Sequence, residues 1–137
     1  MTLSAMFATH PTAGSATGFA PQEVLRACIE ACTACAETCT ACADACLAEP
    51  GLEHLRQCIR RNLDCADLCH AAGRIATRQV GDNVEVIRAA VAACMRACET
   101  CAAECGEHAG MHEHCRLCAQ TCESCAKACR AVLEQVH

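Results

Sequence analysis

An all-α fold, an antiparallel up-down-up-down four-helix bundle with a thiol-lined core, is what the sequence predicts, and three observations predict it. Cysteines recur at steps of three and four residues, a rhythm that keeps side chains on one face of a helix. Pro and Gly punctuation divides the chain into four segments of helical length, and the short connections between them imply antiparallel neighbours. No stretch alternates apolar and polar residues as a strand would.

Taken in order, residues 1–20 are rich in Ala, Thr, Gly, Ser and Pro and carry no period, so they predict a flexible N-terminal tail ahead of a Cys-lined bundle over 21–137. Pro21 suits the first turn of a helix, and the first helix runs near 21–48, to a break at Glu49-Pro50-Gly51. The second covers 52–79 and ends around Val80-Gly81-Asp82. The third covers 83–108, up to Ala109-Gly110, and the fourth covers 111–136.

The stripe on the first helix, CIEACTACAETCTACADAC, holds Cys28, Cys32, Cys35, Cys39, Cys42 and Cys46, a rail about 27 Å long at the helical rise. The second helix carries Cys58, Cys65 and Cys69; the third Cys94, Cys98, Cys101 and Cys105; the fourth Cys115, Cys118, Cys122, Cys125 and Cys129. These are all 18 cysteines of the 137-residue chain. An internal repeat, C-x-x-C-A-x-x-C, recurs as CTACAETC, CTACADAC, CETCAAEC and CESCAKAC. Its period of seven puts Cys where coiled coils place Leu. Leu, Ile, Val and Phe number only 22, so Cys and Ala carry the hydrophobic fraction to 53%. A free thiol behaves as a small buried hydrophobe. The two aromatics, Phe7 and Phe19, precede the first Cys, which leaves no large ring for the bundle.

Composition also excludes. A net charge of −5 argues against nucleic acid, which needs a basic stripe; Arg56, Arg60, Arg61, Arg74 and Arg78 read as a solvated face. No apolar run reaches the roughly 18 residues of a membrane span. The first residues lack the pattern of an export signal, so the expected compartment is the reducing cytoplasm, where dense cysteine means metal or redox chemistry rather than lasting disulfides. No catalytic constellation or cofactor fingerprint is present, and the chain is not read as an enzyme.

Metal binding follows, and its identity can be argued. Parallel thiol rails could build tetrahedral zinc sites, although those usually sit on turns. Thiolate is soft and selects Cu(I), which accepts two or three sulfurs and is bridged along a rail. One Cu(I) per thiolate also leaves the core near neutral, whereas uncompensated buried thiolates would be prohibitively costly. The expected cargo is therefore multiple Cu(I) ions, of the order of one per Cys.

The two ends differ. Leu25, Ile75, Ala76, Val84, Ile87, Val91, Val132 and Val136 continue the stripes as an apolar plug. The opposite end carries His54, His108, Met111, His112 and His114, nitrogen and thioether ligands suited to copper and candidates for its way in. The competing reading of these histidines is helix capping or solvation. Asn62, in phase between Cys58 and Cys65, either gives an oxygen to a cluster or hydrogen-bonds locally. Leu52, Ile59, Leu63 and Leu68 lie off the stripe and serve either a subunit interface or contacts within one bundle.

These stripes on four consecutive helices, with the His-rich end, resemble the cytosolic bacterial copper storage proteins over about residues 21–136. The resemblance implies Cu(I) storage and detoxification inside the bundle, histidines at an open mouth, a homotetramer, and a place for Asn62 in a multicopper cluster. A zinc or mixed-metal, metallothionein-like buffer, and a copper chaperone delivering to a partner, are the alternatives; the sequence names no copper donor or acceptor protein.

Overall fold

A computed structural model describes residues 2–13 and 20–135 of the chain. Phe19, Val136 and His137 lie outside the described residues. The fold is all-helical, with no strand among the described residues. It comprises α1 (Thr2–Ala8), α2 (Gln22–Leu47), a 3-10 turn (Leu52–His54), α3 (Arg56–Thr77), α4 (Val84–His108) and α5 (Glu113–Gln135). α2 packs against α3 and α5, and α4 packs against the same two, so the four long helices close on one core.

The connections follow from local chemistry. After α2, the N–H groups of Ala48 and Glu49 bond the Ala45 and Cys46 carbonyls. Gly51 then takes φ +77°, a left-handed conformation that glycine adopts without steric cost. The chain passes through the 3-10 turn before α3 begins, later than periodicity alone suggests. Asp82 Oδ1 accepts the Val84 N–H at 3.3 Å at the start of α4. The His108 carbonyl accepts from both Met111 and His112, so α5 starts at Glu113 and leaves Met111 in the turn.

Two features depart from expectation. Residues 1–20 were expected to be a flexible tail; instead Thr2–Ala8 is helical and packs on α2. Its anchor is Phe7, 3% exposed and part of the core, whose carbonyl accepts from Gln22 Nε2 at 3.2 Å. One ring with enough apolar area to bury outweighs the irregular composition around it. The other is Leu55, 2% exposed, which stands three residues before Cys58 and in phase with it. At the opposite end the plug forms as expected: Leu25, Ala76, Ile87, Val91 and Val132 are buried, with Ile75 and Val84 partly buried against them. Leu52 and Leu63 are exposed, so contacts within one bundle do not account for them.

Leu55→Ala should lower the stability of the metal-free protein by about 2–5 kcal/mol, the range for emptying a buried leucine site. Urea unfolding followed by circular dichroism measures it. Leu63→Ala is the exposed comparison and should stay within about 0.5 kcal/mol for the single chain.

Candidate metal centre

Helical periodicity turns every cysteine inward, and all 18 are free and buried. Their sulfurs meet across helices at both ends and in the middle. Cys28 faces Cys129 at 3.8 Å, and Cys32 faces Cys94 at 3.7 Å and Cys125 at 3.8 Å. Cys35 faces Cys122 at 3.7 Å and Cys65 at 3.8 Å, and Cys39 faces Cys122 at 3.5 Å and Cys118 at 3.8 Å. Between α3 and α4, Cys69 meets Cys94 at 3.6 Å, Cys65 meets Cys98 at 3.6 Å and Cys58 meets Cys105 at 3.4 Å. A metal–sulfur bond of about 2.3 Å separates the sulfurs of a trigonal or tetrahedral site by about 4 Å. The thiols are therefore already spaced to share metal ions with little backbone movement.

The groupings overlap. Cys35, Cys65, Cys69 and Cys98 form one four-sulfur set; Cys35, Cys39, Cys65 and Cys122 form a second; Cys39, Cys101, Cys118 and Cys122 form a third; Cys32, Cys69, Cys94 and Cys125 form a fourth. Shared members make this a continuous sulfur network rather than a row of separate tetrahedral sites.

Protons are distributed unevenly through it. Burial pushes Cys46 up to about 11 and raises Cys115 as well. Cys58 is held low, first by hydrogen bonds from Cys105 and Cys42, with His108 contributing from nearby. Asn62, 0% exposed, is satisfied entirely by sulfur. Its Oδ1 accepts from Cys101 at 3.0 Å, Cys118 at 3.2 Å and Cys105 at 3.4 Å, and its Nδ2 donates to Cys58 at 3.8 Å.

The histidine end divides the candidates. His114 Nδ1 lies 3.4 Å from Cys42 Sγ and 3.6 Å from Cys115 Sγ, which joins it to a set with Cys42, Cys46 and Cys115. His112 and His114 stack, with ring centroids 5.4 Å apart. His108 is half-buried, its Nε2 3.0 Å from Glu104. By contrast, Met111 is 83% exposed and His54 is exposed on the 3-10 turn, so the structure brings neither to the thiols. For Met111 the reason is physical: the phase of α5 was extended past the point where the helix begins.

Two carboxylates escaped the sequence reading. Glu49 Oε2 is 2.5 Å from His112 Nδ1 and 3.1 Å from His114 Nε2, and the His114 hydrogen bond holds its carboxyl below the usual range. Glu104 spans His108 and Arg61, the latter at 3.3 Å.

Comparison with known proteins agrees with this chemistry. Residues 21–134 match the family model described as copper storage protein. The structure is similar to the copper storage protein Ccsp from Streptomyces lividans loaded with 10 copper equivalents, with TM-score 0.93 and 44% identity over 98% of this chain and 99% of that one. A five-copper form, described as a cytosolic copper storage protein from the same organism, aligns with TM-score 0.83 and 49% identity over 84% and 96%. Cu(I)-bound copper storage protein BsCsp3 aligns with TM-score 0.72 and 37% identity over 80% and 98%. The uncharacterized cysteine-rich protein YhjQ of Bacillus subtilis is 37% identical over 111 residues, 81% of this chain and 97% of its own length.

Proposed function

The chain belongs to the copper storage protein family, and on that premise we propose that it stores and detoxifies Cu(I), holding many ions as thiolate clusters inside the helical core. One observation carries this reading: buried thiols from all four long helices form overlapping four-sulfur sets. A shuttle needs one or two exchangeable sites; a shared sulfur network favours capacity. Cu(I) fits the charge as well, since each ion replaces one proton and leaves the interior near neutral.

All 18 cysteines are assigned as ligands. Asn62 Oδ1 is assigned to a cluster, because the thiol protons it now accepts are the ones copper displaces. His108, His112 and His114 are assigned to the mouth, where copper enters. The up-down-up-down antiparallel arrangement belongs to this reading. It is supported by the running order of the pairs, in which Cys28 meets Cys129 while Cys39 meets Cys118, and Cys58 meets Cys105 while Cys69 meets Cys94. The storing part is 21–137, the compartment is the cytosol, as in the Streptomyces lividans relative, and the role is storage rather than catalysis. Assembly into a homotetramer is part of the same proposal and is supported by the exposed Leu52 and Leu63.

An anaerobic titration of the reduced protein with Cu(I), against a chromophoric Cu(I) chelator, tests the function. Uptake should continue to about one copper per thiol. Saturation at one or two coppers would sink the storage reading, and displacement of Cu(I) by Zn(II) would replace it with a metallothionein-like one.

A further inference from the structure

We propose that Glu49 is the positioning residue of the mouth: its carboxylate accepts a hydrogen bond from His114 Nε2 while lying against the His112 ring, fixing the His114 tautomer so that His114 presents its Nδ1 lone pair to the Cys42–Cys115 thiols. The proposal rests on the storage reading and on these histidines meeting copper.

An ionised carboxylate only accepts hydrogen bonds. The nitrogen hydrogen-bonded to Glu49 Oε2, His114 Nε2 at 3.1 Å, is therefore the one that carries a proton; His112 Nδ1 approaches the same oxygen at 2.5 Å without hydrogen-bond geometry. In the neutral rings the lone pair is left on the opposite nitrogen. For His114 that nitrogen is Nδ1, 3.4 Å from Cys42 Sγ and 3.6 Å from Cys115 Sγ. A copper ion placed there meets one nitrogen and two sulfurs. The His112 ring stacks on His114, with centroids 5.4 Å apart and planes inclined by 22°.

The loop makes Glu49 a fixed point. Its own N–H bonds the carbonyl of Cys46 at 3.1 Å, and Cys46 belongs to the same ligand set as His114. Pro50 follows with its φ restricted, and Gly51 turns the chain away at φ +77°. Glu49 thus ties the end of α2 to the start of α5 across the mouth. His108 has a separate carboxylate, Glu104, itself engaged by Arg61. Among the described residues, Glu49 alone faces two histidines. Carboxylates that orient metal-binding imidazoles typically change affinity or activity by 10- to 100-fold when removed.

The test uses the full chain and two readouts. Long-range 1H–15N correlation of the reduced, metal-free protein reports the tautomers. In the wild type, His114 should be protonated at Nε2; protonation at Nδ1 instead would overturn the proposal. In Glu49→Ala His114 should become a tautomer mixture, and the first phase of Cu(I) transfer from a chromophoric chelator should slow by about 10- to 100-fold with final capacity kept. Glu49→Gln retains an accepting oxygen and should recover part of the rate. Glu53→Ala, on an exposed residue of the same loop, controls for loop disturbance and should match wild type. Wild-type tautomers or wild-type rates in Glu49→Ala would remove Glu49 from the mouth while leaving storage intact. A wild-type capacity of one or two coppers in the same titration would instead remove the storage reading itself.

Discussion

Above pH 9 the metal-free protein is expected to lose stability steeply, while the copper-loaded protein holds its stability. The sign follows from the buried thiols. Burial raises Cys46 from 9.0 to about 11 and raises Cys115 too. Between those values the unfolded chain has given up protons that the folded chain retains, so stability falls as pH rises; the contribution is fully present below 9. Some thiols are pulled the other way: Cys94 by hydrogen bonds led by Cys125, and Cys118 by bonds led by Cys101. Each of these needs a neighbour that keeps its proton to donate, so the network cannot ionise as a whole. Every thiol held protonated costs about 1.4 kcal/mol per pH unit above its unfolded value. A few such thiols over one or two pH units are comparable to a whole domain's stability of about 5–15 kcal/mol. Cu(I) replaces these protons, so the loaded core has none left to lose. Urea midpoints by circular dichroism under reducing, anaerobic conditions from pH 7 to about 10.5 measure both forms. A flat metal-free profile would mean that the thiols ionise in place. The same linkage makes copper affinity fall by about tenfold per pH unit for each proton released as the solution is acidified.

Periodicity carries far in this chain because one residue type marks the inward face. Once Cys28 and Cys32 are read as one turn, every later thiol takes its place, and the structure buries all of them. What periodicity lacks is register between helices. That Cys35 meets Cys65 and Cys122, while Cys32 meets Cys94 and Cys125, depends on loop geometry at Gly51 and Gly81. Phase also fails beyond a helix end, which is why Met111 was expected among the thiols and stands in solvent. Glu49 shows the complementary gap. It lies in a loop, where no phase exists, and reads as part of a Glu-Pro-Gly break; only the three-dimensional return of α5 gives it two histidines. Leu55 is legible, three residues before Cys58 and in phase with it, but it precedes the helix proper, at the end of the 3-10 turn, where helical phase is weakest. The helix at Thr2–Ala8 was hidden by composition: Leu3 and Phe7, four residues apart, both meet the core, but one such pair among Thr, Ser and Ala is too short to stand out as a period.

Replacing Cys35 and Cys39 together by Ala should remove more copper than two thiols' worth, about four ions. The expectation comes from sharing. Cys35 belongs to sets with Cys65, Cys69 and Cys98 and with Cys39, Cys65 and Cys122; Cys39 belongs also to the set with Cys101, Cys118 and Cys122. Each of these sulfurs faces neighbours on at least two other helices, so each can bridge more than one ion. Its loss leaves Cys65 and Cys122 short of partners, and ions held by two or three sulfurs lose a ligand they cannot replace. Cys28 is the comparison: it stands at the end of the rail, with Cys129 facing it at 3.8 Å, and Cys28→Ala should cost about one ion. Alanine keeps the helix and adds no buried polar atom, so the metal-free fold should persist at a cost of about 1–2 kcal/mol per site. Circular dichroism checks that fold before the titration. A loss of two coppers in the double variant would mean that each thiol holds its own ion. A loss near four, against one for Cys28→Ala, would mean that the centre of the bundle stores copper cooperatively, with bridging sulfur as the means and the overlap of its four-sulfur sets as the cause.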